Sequence, residues 1–268
     1  MAWQSQPPLT DPRCSATVPL VRVLLTNDDG ILSPGLKAMH RAFSRDHEVW
    51  VVAPDGERSG YSSSITISEP IRCTQVDERS YAVSGTPADC VILATLGAIP
   101  VMPEVVLSGI NIGPNLGTDI IYSGTCAAAR QAVFKGIPGI AVSLNSFHEP
   151  FHFDEVARFV LQELDNFLAL WNTDHFLNIN APNIAEYRGV EVTTPSTRRY
   201  DDRLLPFEPP RGGAYYFVDG RPAEDPLEPG TDWHAVEQGN VSLSPIMLNP
   251  VNHAVEAQYR SGPFVGER

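Results

Sequence analysis

Two adjacent carboxylates follow a mostly apolar run near the start of the chain. The run covers residues 21–27, and Asp28, Asp29 and Gly30 come directly after it. A strand buried on both faces has this continuous apolar character, and ligands of open α/β sheets bind beyond the carboxyl ends of such strands. Because neighbouring carboxylates repel each other, we expect one to keep its proton at an elevated pKa, or a divalent cation to join them. The simpler alternative is a helix cap at Asp28 and a turn at Asp29.

Three other loops carry hydroxyl and amide groups at comparable places. They follow later predicted strands or open a predicted helix, and they supply Ser59, Asn111 and the run 123–125. The strand-to-helix loops of a parallel sheet emerge at one edge, so we expect these loops to meet in one crevice. The carboxylates of Asp28 and Asp29, with the Ser59 hydroxyl and the Asn111 carbonyl, form an all-oxygen set that suits Mg²⁺ or Mn²⁺.

An anion site is predicted beside these oxygen atoms. The run 123–125 opens a helix, where unpaired N–H groups and the helix dipole favour an anion, and the hydroxyls of residues 62–64 add donors. A cation beside such a helix terminus is the arrangement of a phosphoryl-transfer site. Each loop taken alone is more typical of a turn or a cap, so the prediction depends on their joint placement. The candidate phosphate- or substrate-binding residues are Asn27, Ser62, Ser64, Gly85, Thr86, Asn115, Ser123, Gly124 and Thr125.

Composition and missing motifs exclude several classes of protein. The 268 residues carry 32 acidic and 19 basic side chains, a net charge of −13. This charge opposes binding to a nucleic-acid polymer but leaves a small phosphorylated ligand open. The chain has no Gly-x-Gly-x-x-Gly after its first strand, no P-loop and no Gly-x-Ser-x-Gly elbow.

Cysteine usage indicates a cytoplasmic protein. Cys14, Cys73, Cys90 and Cys126 form no Cys-x-x-Cys pair, and we expect free thiols in a reducing compartment. No apolar run is long enough to span a bilayer, so no membrane contact is predicted. Residues 1–19 lack the pattern of a signal peptide and are predicted to be a disordered leader.

Strand and helix patterns alternate along residues 20–183. This alternation predicts an α/β fold, a Rossmann-like three-layer sandwich with a mostly parallel sheet that forms the catalytic core. Helices are predicted over 34–43, 88–96, 125–134 and 154–171, and strands over 21–27, 48–53, 65–69, 71–76, 81–83, 104–108, 139–144 and 176–180. Residues 184–268 are predicted to be a β-rich arm that completes this single domain, with extended segments at 189–194, 214–218 and 240–244. Arms of this type often pair with another subunit.

Several longer motifs occur in a fixed order along the chain. They are Thr26-Asn27-Asp28-Asp29-Gly30, Val52-Ala53-Pro54-Asp55 with Arg58-Ser59-Gly60, Gly85-Thr86-Pro87-Ala88-Asp89-Cys90, Ser108-Gly109-Ile110-Asn111-Ile112-Gly113-Pro114-Asn115-Leu116-Gly117, Tyr122-Ser123-Gly124-Thr125 and Gly230-Thr231-Asp232. With these motifs the chain resembles the survival protein SurE family, metal-dependent acid phosphatases and 5′-nucleotidases. The resemblance covers nearly the whole chain from residue 21 onward.

The resemblance implies an activity, a metal site and an assembly. Asp28, Asp29, Ser59 and Asn111 would hold one divalent metal ion per subunit, Mg²⁺ or Mn²⁺. The implied reaction is hydrolysis of nucleoside 5′-monophosphates to nucleoside and phosphate, and some relatives also act on 3′-nucleotides and short polyphosphate. The implied assembly is a cytoplasmic homodimer or homotetramer whose subunits exchange C-terminal elements.

Asp28 and Asp29 are the candidate catalytic residues, and two routes are open. Either a metal-polarised water attacks in line with one aspartate as base, or a carboxylate attacks and forms an acyl-phosphate; we favour the water route. Two other functions remain as alternatives: a metal-dependent glycosyltransferase that uses a nucleotide-sugar, and a nucleotide or metal sensor that releases no phosphate. The nucleoside pocket cannot be located from the residues, although Tyr61, Tyr122 and Tyr200 could stack on a base.

Overall fold

The computed structural model describes residues 20–208, 212–222, 227–249 and 252–262. Its strands are β1 (Arg22–Thr26), β2 (Glu48–Pro54), β3 (Cys73–Asp77), β4 (Ser80–Val83), β5 (Val105–Ile112), β6 (Gly139–Asn145), β7 (His175–Pro182), β8 (Gly189–Val192), β9 (Tyr200–Phe207), β10 (Tyr215–Pro222) and β11 (Asn240–Met247). Its helices are α1 (Pro34–Phe43), α2 (Pro87–Leu93), α3 (Gly124–Phe134), α4 (Phe153–Leu170), α5 (Asp232–Glu237) and α6 (His253–Arg260). The predicted leader, 1–19, and Cys14 lie outside the described residues.

A nine-stranded sheet forms the centre of the molecule, in the order β3-β4-β2-β1-β5-β6-β7-β11-β8. The six strands from β4 to β7 in this order run parallel to one another, whereas β3 pairs antiparallel with β4 and β11 pairs antiparallel with β7. Helices α1 and α4 cover one face and α2 and α3 cover the other. The predicted three-layer α/β fold is therefore confirmed.

The first strand illustrates why the sheet has a helix layer on each face. Val23 and Leu25 pack in the cluster that includes α1 and α4, while Leu24 packs in the cluster that includes α2 and α3. All three side chains are fully buried. Side chains of a strand alternate between the two faces, so a continuous apolar run requires cover on both.

Two predicted strands differ from the observed ones near the site. Residues 65–69 form no strand, because Thr66 donates its main-chain N–H and its hydroxyl to the Asp89 carboxylate at 3.0 and 2.6 Å. The strand predicted at 104–108 continues to Ile112 as β5, since its pairing with β6 resumes after an irregularity between Ser108 and Asn111. The longer strand carries Asn111 to the edge where the ligand site was expected.

The C-terminal region divides between the sheet and a separate hairpin. Strands β8 and β11 extend the central sheet, whereas β9 and β10 pair with each other as a two-stranded antiparallel sheet. Strand β9 and helices α5 and α6 were not predicted, because the charged and Pro-containing segments around them carry no clear hydrophobic period. Among the described residues, no helix combines the length and apolar content needed to cross a membrane.

Candidate functional site

The predicted loops meet at the carboxyl ends of β1, β2 and β5 and at the start of α3. The main-chain N–H of Ile112 donates to Asp29 Oδ2 at 3.2 Å. The main-chain N–H of Arg58, next to Ser59, donates to the Asp28 carbonyl at 2.7 Å. The Thr125 hydroxyl donates to Asp28 Oδ1 at 2.5 Å. These bonds bring the loops together as expected, and the binding roles of their residues stay predictions.

Asp28 lies against the first turn of α3 and is 4% exposed. Burial raises the pKa of this carboxyl, while hydrogen bonds from the Thr125 hydroxyl and from the main chain of Thr125 and Gly124 oppose the rise. Gly124 makes the close approach possible, since a Cβ there would lie 2.9 Å from both Cβ and Oδ2 of Asp28. The helix terminus predicted as an anion site therefore already holds one carboxyl group of the protein.

Asp29 is half-buried and has fewer partners. Burial, and after it the neighbouring charge of Asp28, raise the pKa of the Asp29 carboxyl to about 7, with a smaller rise from Glu57 and an opposing effect of the Ile112 N–H. Its Oδ1 accepts no hydrogen bond among the described residues. The pair therefore holds two charges poorly on its own, and a cation would relieve both the desolvation and the repulsion.

Asn111 and Ser59 supply the neutral oxygens that the sequence analysis assigned to a metal. Asn111 Nδ2 donates to the carbonyls of Gly113 and Ile112 at 2.8 and 3.3 Å, which leaves Oδ1 as the acceptor without a bond in the described part of the chain. The Ser59 hydroxyl is exposed and likewise has no described partner. Backbone geometry at β5 sets the position of Asn111: Gly109 has φ 142°, and a Cβ there would lie 2.2 Å from the Val142 carbonyl oxygen.

This donor set fits a hard divalent cation. It offers two carboxylates, an amide oxygen and a hydroxyl, which are the ligand types that Mg²⁺ and Mn²⁺ prefer. No group of three or more His, Cys, Asp or Glu side chains with metal-binding spacing occurs in the described ranges. A metal at this site would therefore depend on only two charged ligands and on neutral oxygens or water for the rest.

Asn27 and Gly30 shape the loop that carries the carboxylates. Asn27 is fully buried, donates from Nδ2 to the Gly30 carbonyl at 3.0 Å and accepts the Gly30 N–H on Oδ1 at 3.2 Å. Gly30 has φ 95°, and a Cβ there would lie 3.0 Å from the carbonyl carbon of Gly56 in the next loop. The side-chain nitrogen and oxygen of Asn27 both have partners inside the loop. Its predicted contact with substrate stays a prediction.

The serine loop at 62–64 is hydrogen-bonded to the starts of two helices, α3 and α2. Ser62, with φ 55°, donates its hydroxyl to the Ile121 carbonyl at 2.6 Å, just before α3. The Ser64 carbonyl accepts the Thr86 hydroxyl at 2.7 Å, at the start of α2. These bonds bring the predicted phosphate-binding loop beside the crevice, with the Ser64 hydroxyl unpartnered in the described residues.

Gly85 and Thr86 form the N-terminus of α2. Thr86 Oγ1 accepts the Asp89 N–H at 3.2 Å and the Thr86 N–H donates to Asp89 Oδ2 at 2.9 Å, which is a capping box. A Cβ at Gly85 would lie 2.6 Å from the same Oδ2. Both residues therefore have a clear structural use next to the site, and their predicted binding role is not tested by these contacts.

Ser123 and Asn115 also hold local structure. Ser123 caps α3 by accepting the Cys126 N–H at 3.0 Å. The main chain of Asn115 donates to Asn180 and accepts from Asn178 and Asn180, while its own Nδ2 donates to the Ser143 hydroxyl at 2.8 Å. The loop from β5 toward α3 is thereby fixed on β6 and β7, the strands next to β5 in the sheet.

Asp232 is a site-supporting residue to which the sequence analysis gave no role. It is fully buried, and its carboxylate accepts main-chain N–H groups from Gly117 at 2.7 Å, Ser196 at 2.9 Å and Trp233 at 2.8 Å. The motif Gly230-Thr231-Asp232 was the available signal, but a pattern of residues does not reveal which distant loop it holds.

Comparison with known proteins gives one family throughout. The sequence model of the family described as Survival protein SurE matches residues 23–202. A protein of Xanthomonas campestris pv. campestris named 5′-nucleotidase SurE is 42% identical over 234 residues, which cover 85% of this chain and 90% of that protein. A protein of the same name from Xanthomonas axonopodis pv. citri is 41% identical over equal shares.

A solved structure extends the likeness to three dimensions. The crystal structure of the SurE protein from Aquifex aeolicus matches with a TM-score of 0.79 and 38% identity, over 89% of this chain and 98% of that one. The matched region contains the loops that meet around Asp28 and Asp29. With the family model covering more than half of the residues and relatives of this identity, the chain belongs to the survival protein SurE family.

Proposed function

We propose that this protein is a divalent-metal-dependent phosphomonoesterase, a 5′-nucleotidase that hydrolyses nucleoside 5′-monophosphates to nucleoside and phosphate. The names of the Xanthomonas relatives support the activity. The observation that carries the proposal is the pair Asp28 and Asp29, which lies at the N-terminus of α3 with oxygen donors from two further loops. Two adjacent carboxylates with neutral oxygens beside them suit a divalent cation, and a cation held there would bind a phosphate oxygen.

Asp28, Asp29, Ser59 and Asn111 are the residues that would hold the metal, Mg²⁺ or Mn²⁺. The fit rests on their chemistry: two adjacent carboxylates with raised pKa values, an amide whose nitrogen already has carbonyl partners, and an exposed hydroxyl. When bound, the cation would offset negative charge on a phosphate oxygen as the phosphorus–oxygen bond breaks.

The two aspartates differ in what they can do for the reaction. Asp28 is held by Thr125 and by the main chain of α3, so it keeps one orientation. Asp29 is more exposed and its Oδ1 has no described partner, so this atom is placed to take a proton from an attacking water. Water then forms the new bond to phosphorus as the bond to the 5′-oxygen breaks, and the proton held by Asp29 passes to that oxygen, so the nucleoside leaves as an alcohol. Asp28 is the poorer nucleophile because it is almost fully buried and accepts hydrogen bonds from the Thr125 hydroxyl and from the main chain of α3.

The test is phosphate release by the purified protein. AMP, GMP and p-nitrophenyl phosphate are offered with Mg²⁺, with Mn²⁺ or with EDTA. We expect metal-dependent release that EDTA abolishes, and a loss of at least about 100-fold in kcat for Asp28→Asn. Asp165→Asn, an exposed position on α4, is the matched control and should keep full activity.

Two outcomes would contradict the proposal. Folded protein that binds nucleotide but releases no phosphate with either metal would favour a sensor. Asp28→Asn with most of the wild-type kcat would remove Asp28 from the reaction. Circular dichroism and thermal unfolding of the variant separate either result from loss of the fold.

Membership of the family also suggests further substrates, an assembly and a compartment. We expect some activity on 3′-nucleotides and short polyphosphate, and a homodimer or homotetramer with exchanged C-terminal elements. The exposed hairpin of β9 and β10 supports the assembly. The expected compartment is the cytoplasm, which agrees with the free thiols of Cys73, Cys90 and Cys126.

A further inference from the structure

Two cavities flank the serine loop at 62–64, and either has room for the part of a substrate that lies beyond its phosphate. One, of about 730 Å³, is bounded by Arg58, Tyr61, the segment 64–69 and the start of α2. The other, of about 570 Å³, lies between the short 3₁₀ helix Gly117–Ile121 and the end of β11. We infer that the first cavity takes the nucleoside of the substrate; this inference rests on the proposed nucleotidase function.

Two residues of this wall, Arg58 and Thr86, connect the cavity to the carboxylate site. Arg58, which lines it, donates its main-chain N–H to the Asp28 carbonyl at 2.7 Å. Thr86 lines the cavity from the other side. The next residue, Pro87, lies close to Gly124 at the start of α3, as Asp28 does. A Cβ at Gly124 would lie 3.1 Å from Pro87 Cγ and 2.9 Å from Asp28 Cβ. A group esterified to a phosphate in the crevice therefore has a short path into this cavity.

The wall presents the groups that a nucleoside needs. The ring of Tyr61 is 52% exposed and its hydroxyl has no described partner, so an aromatic surface is free for stacking. In the segment 64–69, Thr66 is held by Asp89, but the main-chain N–H groups of Ile65, Ile67 and Ser68 donate to no described residue. Donors and acceptors that remain unpaired in a cavity suit a polar, planar ligand.

Glu69 gives the wall a specific chemical preference. It is exposed at the cavity edge and makes no hydrogen bond or ion pair with the described residues. A free carboxylate accepts only, so it suits neutral N–H or O–H donors such as ribose hydroxyls or the N1–H and amino group of guanine. It would repel a second phosphate, so the cavity favours a nucleoside over a longer polyanion.

The second cavity has a different character. Much of its wall is aliphatic and consists of Ile120, Ile121, Ile246, Met247 and Leu248. Arg130, its cationic member, donates to the Ser63 hydroxyl at 2.7 Å and lies over the ring of Phe176 at 5.1 Å. A mainly aliphatic wall with an engaged cation suits hydrocarbon side chains better than a base and a sugar.

Steady-state kinetics of Tyr61→Ala and Glu69→Gln test this assignment. With Tyr61→Ala we expect KM for AMP and GMP to rise roughly ten-fold through the loss of stacking. The kcat/KM for β-glycerophosphate, which carries neither a nucleoside nor an aromatic ring, should stay within about two-fold. Met247→Ala, in the second cavity, is the matched control and should leave all three substrates unchanged.

The Glu69→Gln variant identifies the group that the carboxylate contacts. A rise in KM of about five-fold for GMP alone would assign Glu69 to the guanine edge. A similar rise for AMP and GMP, but not for 2′-deoxy-AMP, would assign it to the ribose. Either result supports the nucleoside cavity, whereas unchanged KM values for every nucleotide would remove Glu69 from it.

Other results would overturn the inference without touching the proposed function. Equal losses with nucleotides and β-glycerophosphate in Tyr61→Ala would mean that the residue does not act on the nucleoside. A raised nucleotide KM in Met247→Ala, with Tyr61→Ala unchanged, would place the nucleoside in the second cavity. Failure of the proposed function would instead be visible in the wild-type protein, as no phosphate release from AMP or GMP.

Discussion

At the scale of single residues, the site is defined by how two neighbouring carboxylates are stabilised unequally. Asp28 accepts hydrogen bonds from the Thr125 hydroxyl and from the main chain at the start of α3, whereas Asp29 accepts one, from the main-chain N–H of Ile112. A helix N-terminus can stabilise about one negative charge, so the second charge needs a proton or a cation. Burial and the adjacent charge of Asp28 raise the pKa of Asp29, and the same two effects would favour a bound cation.

This inequality predicts how the metal-free protein responds to pH. The pKa of Asp29 is raised from 3.8 in the unfolded chain to about 7 in the folded protein. Between these values the folded state binds more protons than the unfolded state, so the free energy of unfolding should fall as pH rises from about 4 to about 7. Thermal unfolding in EDTA across this range measures the effect, and Asp29→Asn should flatten the slope.

Added Mg²⁺ should change the unfolding temperature in a pH-dependent way. A cation binds the ionised carboxylates, so Mg²⁺ should raise the unfolding temperature more at pH 8 than at pH 5. Asp165→Asn should leave both the slope and the metal response unchanged. An unaltered slope in Asp29→Asn would show that another group controls the pH dependence.

At the scale of elements, the sequence predicted the scaffold better than the loops. Strands β1 and β2 and helix α1 were predicted within a residue or so, because a long apolar run or an amphipathic period determines them locally. The position of Asn111 was not predictable in detail, since it depends on an irregularity in the β5–β6 pairing. Nor does any local pattern reveal that Asp28 would occupy the start of α3, nearly a hundred residues further along.

The short 3₁₀ helix Gly117–Ile121 is the element most dependent on distant contacts. Asp232 accepts the Gly117 N–H, and Asp119 pairs with Arg198 at 2.6 Å and accepts the Tyr200 hydroxyl. Arg198 also lies 4.9 Å above the ring of Trp233. The segment that leads into Ser123 and α3 is thus held in place by the C-terminal region.

Asp232→Asn should therefore lower both stability and activity. An amide has one acceptor oxygen in place of two, so at least one buried N–H loses its partner, at a cost of about 1–3 kcal/mol. We expect a lower unfolding temperature, a reduced kcat and faster hydrogen exchange at the Gly117 amide. Asp46→Asn, at an exposed position, is the control. Wild-type kcat in a destabilised Asp232→Asn would limit Asp232 to a structural role.

At the scale of the whole molecule, the hairpin of β9 and β10 exposes apolar side chains that no described residue covers. Leu204 and Val218 face each other across the strands and are 63% and 72% exposed. Leu205 and Phe217, the next pair along and so on the opposite face, are 41% and 66% exposed. An isolated two-stranded hairpin is marginally stable in water, so apolar side chains on both faces require cover from another surface.

Cover by a second copy of the chain is the arrangement that the proposed exchange of C-terminal elements supplies. Replacing Leu204 and Val218 together by lysine would place two charges where the partner packs, so the assembly should dissociate into smaller species. Sedimentation velocity measures the change, with Leu96→Lys, an exposed position outside the hairpin, as the control. A wild-type monomer, or an unchanged sedimentation coefficient in the double variant, would mean that the hairpin does not hold subunits together. The short 3₁₀ helix Gly117–Ile121, which leads into α3, contacts the start of this hairpin because Asp119 pairs with Arg198 and accepts the Tyr200 hydroxyl. Dissociation that disturbs the hairpin should therefore also lower kcat.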